Sequence, residues 1–207
     1  MSINKDLENY IKAEILPQYE KNDSGHSLEH IDYVLRRCLK FAEQFNSIDF
    51  NILYTIAVFH DIAHHIDKAN HERLSAEIFY GNEKMQDFFS DEERALIKEA
   101  IEDHRASANS EPRSAYGKII SSADRSTDID DFLRRTHAYT LKHFPDCTEE
   151  DMLKRAYDHT QQKYGKGGYA KHYVKDEEYE NFRNEINLLL QDEEKFKQKY
   201  FKINNLI

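Results

Sequence analysis

The sequence predicts an all-α fold, and two observations support that prediction. Apolar residues recur at three- and four-residue steps through most of the chain, which is the period of an amphipathic helix. No segment shows the apolar and polar alternation of a β-strand, and only three prolines and six glycines interrupt 207 residues. With 39% hydrophobic residues the chain can bury a real core. We therefore expect a single domain, a helical bundle spanning residues 1–207.

Two long helices should form the centre of this bundle. Residues 27–45 place apolar side chains from Leu28 to Phe45 at helical spacing, which predicts an amphipathic helix. Residues 48–63 are apolar nearly all round, so we expect a central helix that is buried on every side.

The other helices are indicated by their starts and by their apolar spacing. Ser90 with Glu93 and Thr148 with Asp151 have the spacing of capping boxes, which predicts helices over 91–104 and 149–164. A shorter helix should cover 116–124, and residues 176–200 carry apolar and aromatic side chains at helical spacing. The glycine-containing stretch 163–172 should form a loop.

Charge and composition exclude several functional classes. The formal charge of −10 repels nucleic-acid backbones, so a nucleic-acid polymer is not an expected partner. Cys38 and Cys147 form neither a disulfide framework nor a metal-binding CxxC pair, and we read both as structural thiols in a reducing compartment. No segment is apolar enough for a leader or a membrane span, so we expect a cytoplasmic protein without a membrane partner.

Four ionisable residues adjoin inward apolar residues of the predicted helices: His30, His60, Asp61 and Asp124. Burial of a carboxylate is costly unless another group compensates its charge, and two carboxylates with two imidazoles suit a divalent cation. Ligands of this kind without a thiolate favour Mn²⁺, Fe²⁺, Co²⁺, Ni²⁺, Zn²⁺ or Mg²⁺. Asp128 and Asp130 follow closely and are alternatives to Asp124.

The order of His30, then the His60-Asp61 pair, then Asp124 resembles the H…HD…D signature of the HD-domain metal-dependent phosphohydrolases. The stretches GHSLEHIDYV, AVFHDIAH and SSADR also look like the ligand-bearing segments of that family. The resemblance covers about residues 20–130 and implies an all-helical core that binds a divalent metal and hydrolyses phosphate esters or anhydrides. Residues 140–207 match no functional motif, and we expect their helices to pack on that core.

His64 marks a departure from part of the family. Some nucleotidase and alarmone-hydrolase members have an acidic residue four places after the HD histidine, and this chain has His64 there. On a helix His64 would share a face with His60, so we expect it to act as a catalytic acid or base. The alternatives are that it orients a ligand or binds phosphate without transferring a proton.

Two further histidines determine the expected number of ions. His71 and His104 occupy places where dinuclear family members look similar and carry ligands of a second metal. In that reading Asp61 would bridge two ions; in the other, both imidazoles contact substrate phosphate. Because the spacing from His60 to His71 is short for a dinuclear member, we expect one ion per chain and keep two as the alternative.

Cationic and polar groups near the metal should recognise the substrate. The candidates are His26, Arg105, Lys166 and Lys171, because imidazole, guanidinium and ammonium groups bind phosphate. The resulting hypothesis is a metal-dependent phosphohydrolase acting on a small phosphorylated molecule, with a nucleotide as the first expectation. The rival hypothesis is a catalytically weak HD fold that senses or scaffolds by binding a nucleotide or a metal. The sequence does not indicate an oligomeric state.

Overall fold

A computed structural model of the chain describes residues 3–108 and 110–206. Within these ranges the chain is helical and contains no β-strand, as the sequence predicts. The residues separate into two compact units, one reaching to Asp124 and including His172–Lys175, the other formed by Arg125–Lys171 and the residues from Asp176 onward. The expectation that all of these residues form one domain stays a prediction.

Among the residues that the structure describes, the first unit contains six α-helices. They are α1 (Lys5–Tyr10), α2 (Leu28–Ala42), α3 (Phe50–Phe59), α4 (His71–Tyr80), α5 (Asp91–Asp103) and α6 (Ala115–Ala123). A π-helical turn and a 3-10 turn continue α1 from Ile11 to Lys21, and further 3-10 turns lie at Ser24–His26 and Glu83–Asp87.

The central helix of this unit is α3. Each of its residues from Ile52 to Phe59 is buried, because the helix contacts α2, α4, α5 and α6. Asp49 caps its start by accepting hydrogen bonds from the N–H groups of Asn51 and Ile52. The apolar surface of α3 is therefore covered by other helices on every side, as the sequence predicts.

α3 is shorter than the predicted span of 48–63. It ends at Phe59, and the next residues form a series of turns. The N–H of Ala63 bonds the hydroxyl of Ser75 at 3.1 Å instead of continuing the helical ladder. The N–H of His64 bonds the carbonyl of Asp61 at 3.0 Å. These bonds replace helical ones, so the HD pair lies where the helix stops.

The remaining predicted helices of this unit occur with small shifts. α2 ends at Ala42 because the chain turns there, and Ser47 has a positive φ of 61°. α5 begins with the predicted capping box of Ser90 and Glu93. α6 covers the predicted segment 116–124 to within one residue at each end.

The second unit contains four α-helices around its own apolar core. They are α7 (Ile129–His143), α8 (Glu149–Tyr164), α9 (Glu177–Leu190) and α10 (Glu193–Ile203). The predicted capping box of Thr148 and Asp151 starts α8. The predicted helical segment 176–200 is divided between two helices, because Asp192 accepts a hydrogen bond from Lys195 N–H and caps a new start. The predicted loop 163–172 begins at residue 165, because Lys163 and Tyr164 form the end of α8.

Within the described residues, no helix combines the length and the apolar character that a bilayer-spanning segment needs.

Candidate metal centre

Six potential metal ligands of the first unit lie at or near the ends of five helices. His30 is in the first turn of α2, and His60 and Asp61 directly follow α3. The others are His71 at the start of α4, His104 after α5 and Asp124 after α6. Helix ends leave backbone groups without helical partners, so side chains there can be oriented by local hydrogen bonds.

The four residues predicted as metal ligands form one cluster. Each offers an atom that lies within 4.8 Å of the corresponding atom of every other member. His30 Nε2 is 3.1 Å from Asp124 Oδ1 and 3.6 Å from Asp61 Oδ2. His60 Nε2 is 3.2 Å from Asp61 Oδ2 and 4.0 Å from Asp124 Oδ1. One carboxylate oxygen of Asp61 therefore faces both imidazoles.

The other carboxylate oxygen of Asp61 faces a second pair of imidazoles. His71 Nε2 is 3.3 Å and His104 Nε2 is 3.4 Å from Asp61 Oδ1. The two Nε2 atoms lie 3.0 Å from each other. Packing of α4 against α5 brings these residues together although they are 33 positions apart. Asp61 is thus common to both clusters.

Backbone carbonyls orient three of the four imidazoles in the same way. The Nδ1 atoms of His60, His71 and His104 lie 2.8, 3.0 and 2.6 Å from the carbonyl oxygens of Ala57, Lys68 and Ile101. A carbonyl oxygen can only accept, so each Nδ1 carries the hydrogen and donates it. The lone pair of each neutral ring is then at Nε2, directed at the carboxylates.

This arrangement fits divalent cations. His30 Nε2, His60 Nε2 and Asp61 Oδ1 are buried and make no hydrogen bond of acceptable geometry. Between His71 and His104, two lone pairs and Asp61 Oδ1 approach one another, which is repulsive unless a cation or a proton lies between them. Four imidazole nitrogens and two carboxylates without sulfur suit borderline or hard divalent ions.

The ionisation of the cluster reflects its density of charge. Burial opposes ionisation of Asp61, but the neighbouring His60 and His104 outweigh it and lower its pKa well below the usual range. Burial likewise opposes ionisation of Asp124, but the neighbouring His30 outweighs it and lowers the pKa of this carboxyl. For His60, burial favours the neutral ring, yet Asp61 and then Asp124 raise the pKa to about 9. In the metal-free protein a proton on His60 therefore supplies positive charge beside the two carboxylates.

His64 lies beside the centre in a third cluster. Its ring stacks on the ring of His26 with centroids 3.4 Å apart, and its Nδ1 lies 4.0 Å from Asp23 Oδ2. His26 Nδ1 is 2.7 Å from Asp23 Oδ1, and Lys68 Nζ is 3.1 Å from Oδ2. Burial and the neighbouring His26 lower the pKa of His64 to about 3, so the ring is neutral at pH 7.

The four residues predicted to contact substrate lie in different places in the structure. Arg105 Nη1 binds the Glu72 carboxylate at 2.9 and 3.0 Å and also the carbonyl of Ala69, so it holds the turn before α4. His26 adjoins the centre, because its ring centroid is 5.9 Å from that of His30. Lys166 and Lys171 belong to the second unit, and their proposed role stays a prediction.

The two alternatives to Asp124 have other roles. Asp128 caps α7 by accepting a hydrogen bond from the Asp131 N–H. The carboxylate of Asp130 lies 2.6 Å from Lys199 Nζ. Asp124 is the member of this trio that lies with the histidines.

Sequence reasoning missed one charged residue that supports the centre. Arg37 is 5% exposed, and its Nε donates to the carbonyl of Ala123 at 3.1 Å. It thereby holds the end of α6, from which Asp124 projects. The available signal was a guanidinium on the same helical face as the buried Val34, Cys38 and Phe41.

Comparison with known proteins gives a family for this region. The model of the HD domain family matches residues 27–127, which include all six ligands of the two clusters that share Asp61. A crystal structure of a predicted HD superfamily hydrolase from an uncultured Thermotogales bacterium is similar over 74% of this chain and 83% of its own. Its sequence identity is 22% and the TM-score is 0.47. No curated protein has a sequence that matches this chain.

Proposed function

Since residues 27–127 form a domain of the HD family, we propose that the chain is a divalent-metal-dependent phosphohydrolase acting on a small phosphorylated molecule. Nucleotides are the first substrates to test. The observation that carries this proposal is the convergence of four imidazole Nε2 atoms on two buried or partly buried carboxylates.

We further propose two ions for each chain, which Asp61 would share. His30, His60 and Asp124 would hold one ion, and His71 and His104 the other. The expectation of a single ion came from the short spacing between His60 and His71 in sequence. That spacing is no obstacle, because α4 starts at His71 and directs this ring at Asp61 Oδ1.

Bound divalent ions supply Lewis acidity, which lowers the pKa of coordinated water and offsets negative charge on a phosphoryl group. The chain would orient the substrate through the partly exposed side of the centre, where His30, His71 and Asp124 reach solvent. The neutral His64 ring has its centroid 5.2 Å from that of His71. Its unprotonated nitrogen would accept a proton from the attacking water and deliver it to the leaving oxygen.

A panel of phosphorylated metabolites, assayed with each candidate ion added to metal-free protein, tests the proposal. We expect turnover of at least one compound only when an ion is present. His60→Ala and Asp61→Ala should lose turnover and bound metal together, because both supply ligands to the same ion. Asp128→Ala, which removes a carboxylate that caps α7, is the matched control and should retain both.

The same assay addresses the rival function. A sensor or scaffold of the HD type would bind an ion and a nucleotide without metal-dependent turnover. Full activity of His60→Ala and Asp61→Ala would contradict the proposed centre, and unchanged metal content in both would contradict it independently of the substrate.

A further inference from the structure

We propose that Asn22 is a positioning residue for the metal centre. It joins the loop before α2, which leads to His30, to the turn that carries His60 and Asp61. This inference rests on the proposed metal centre and assigns a role to a residue outside the two ligand clusters.

The side-chain amide of Asn22 contacts both segments through their backbones. Its Nδ2 donates to the carbonyl of Asp61 at 3.0 Å and to the carbonyl of His26 at 3.2 Å. Its Oδ1 accepts from the N–H of His65 at 3.0 Å and also lies 3.0 Å from His65 Nδ1. One half-buried amide therefore bonds three residues in two separate segments.

These partners fix the orientation of the amide. Carbonyl oxygens can only accept and a backbone N–H can only donate, so exchanging Oδ1 and Nδ2 would lose three bonds. An aspartate would lack both donors, and a leucine of similar volume would lack every polar group. Asparagine is the residue of this size that provides both donors and the acceptor.

The position of the Asn22 amide explains its relevance to metal binding. The turn after α3 lacks a continuous helical ladder, so fewer backbone bonds hold it. The carbonyl of Asp61 accepts from His64 N–H and from Asn22, which fixes the peptide plane next to the side chain that faces both clusters. A small rotation of this turn would move Asp61 Oδ1 and Oδ2 away from their imidazoles.

Two neighbouring contacts join the same segments without touching the backbone of the turn. Lys68 Nζ lies 3.1 Å from Asp23 Oδ2, and the rings of His26 and His64 stack. Both involve partly exposed side chains that can move. Unlike these two contacts, Asn22 binds the backbone of Asp61 directly, so it transmits the position of the loop to that backbone.

The test compares Asn22→Leu with a matched control, Asn82→Leu. Asn82 is also half-buried, and its amide bonds the Tyr10 hydroxyl and the Lys84 N–H, neither of which belongs to the centre. Mn²⁺ affinity is measured by calorimetric titration of the metal-free proteins, and their melting temperatures are recorded without metal. We expect the Kd for Mn²⁺ to rise about 10- to 100-fold in Asn22→Leu and to stay unchanged in Asn82→Leu.

Wild-type protein is titrated first, because absence of Mn²⁺ binding there would contradict the proposed function itself. If wild type and Asn22→Leu bind with equal affinity, the centre stands and only the role of Asn22 is refuted. Should Asn22→Leu not fold, Asn22→Ala removes the same bonds without adding apolar volume and is titrated instead. If neither variant folds while Asn82→Leu does, Asn22 serves the fold and the inference is wrong.

Discussion

At the scale of single residues, the centre depends on which nitrogen of each histidine is available. The carbonyls of Ala57, Lys68 and Ile101 each take the Nδ1 hydrogen of the imidazole three residues later. This repeated i−3 bond orients three of the four rings before any ion binds, and it directs each Nε2 at the carboxylates.

The first prediction concerns the protonation of His60 in metal-free protein. Its folded pKa of about 9 exceeds the ordinary value of 6.5. The protonated ring therefore contributes stability that is complete below about pH 6.5 and is lost as pH rises through about 9. We expect the melting temperature of metal-free protein to fall across this window more than that of the metal-loaded protein, in which ligand Nε2 carries no proton.

His60→Gln in the metal-free state is the control for this titration, because glutamine preserves polarity but carries no titrating ring. Calorimetric melting at several pH values measures the effect. Equal slopes for metal-free wild type and metal-free His60→Gln would show that His60 does not cause it.

His64 is the subject of the second prediction. If this ring transfers a proton, His64→Ala should lower kcat by roughly 10²–10⁴ while the metal content stays at the wild-type level. His143→Ala, which removes an exposed imidazole on α7, should leave kcat unchanged. Wild-type kcat in His64→Ala would leave the residue only a packing role against His26.

At the scale of helices, the apolar pattern of residues 48–63 correctly predicted that a helix forms there but overestimated its length. The 48–63 pattern continues through Ile62 and Ala63, which are indeed buried, but the backbone after Phe59 is no longer helical. Apolar periodicity reports burial, and it cannot tell a helix from a buried turn held by Ser75. The capping boxes at Ser90 and Thr148 located the starts of their helices to the residue, because they define a specific hydrogen-bond geometry.

Among the described residues, three helices were not anticipated from sequence: α1, α4 and α7. α1 is only six residues long, so it contains less than two periods of an apolar pattern. α7 has buried residues at Ile129, Phe132, Leu133 and Thr140, and the polar Thr140 weakens its apolar stripe. The sequence feature that marks α7 is Asp128, which caps its start, rather than an apolar period.

The third prediction tests the central position of α3. Ile56 is completely buried, and Ile56→Ala should reduce the free energy of unfolding by about 2–5 kcal/mol through lost contacts and a cavity. Leu39→Ala on α2 removes an exposed apolar side chain and should change it by no more than about 0.5 kcal/mol. Chemical denaturation of metal-free proteins measures both. A similar loss in the two variants would contradict the assignment of α3 as the core helix.

At the scale of the whole molecule, the sequence predicted the fold class and the likeness to a family, and the structure brings the four predicted ligands together. The sequence left the two-sided environment of Asp61 open, because His71 and His104 could be ligands of a second ion or contacts to substrate phosphate. That environment depends on the packing of α4 against α5, which brings His71 and His104 to within 3.0 Å. Contacts between residues 33 positions apart follow from tertiary packing, which local spacing does not encode.

The number of ions bound per chain tests the central proposal most directly. Metal-free wild type, His71→Ala/His104→Ala and His143→Ala are loaded with Mn²⁺, freed of excess ion and analysed for metal and protein. The two-sided placement of Asp61 predicts about two equivalents in wild type and in His143→Ala, and about one in the double variant, because loss of ligands weakens only the second site severely. One equivalent in wild type and one in the double variant would contradict a dinuclear centre.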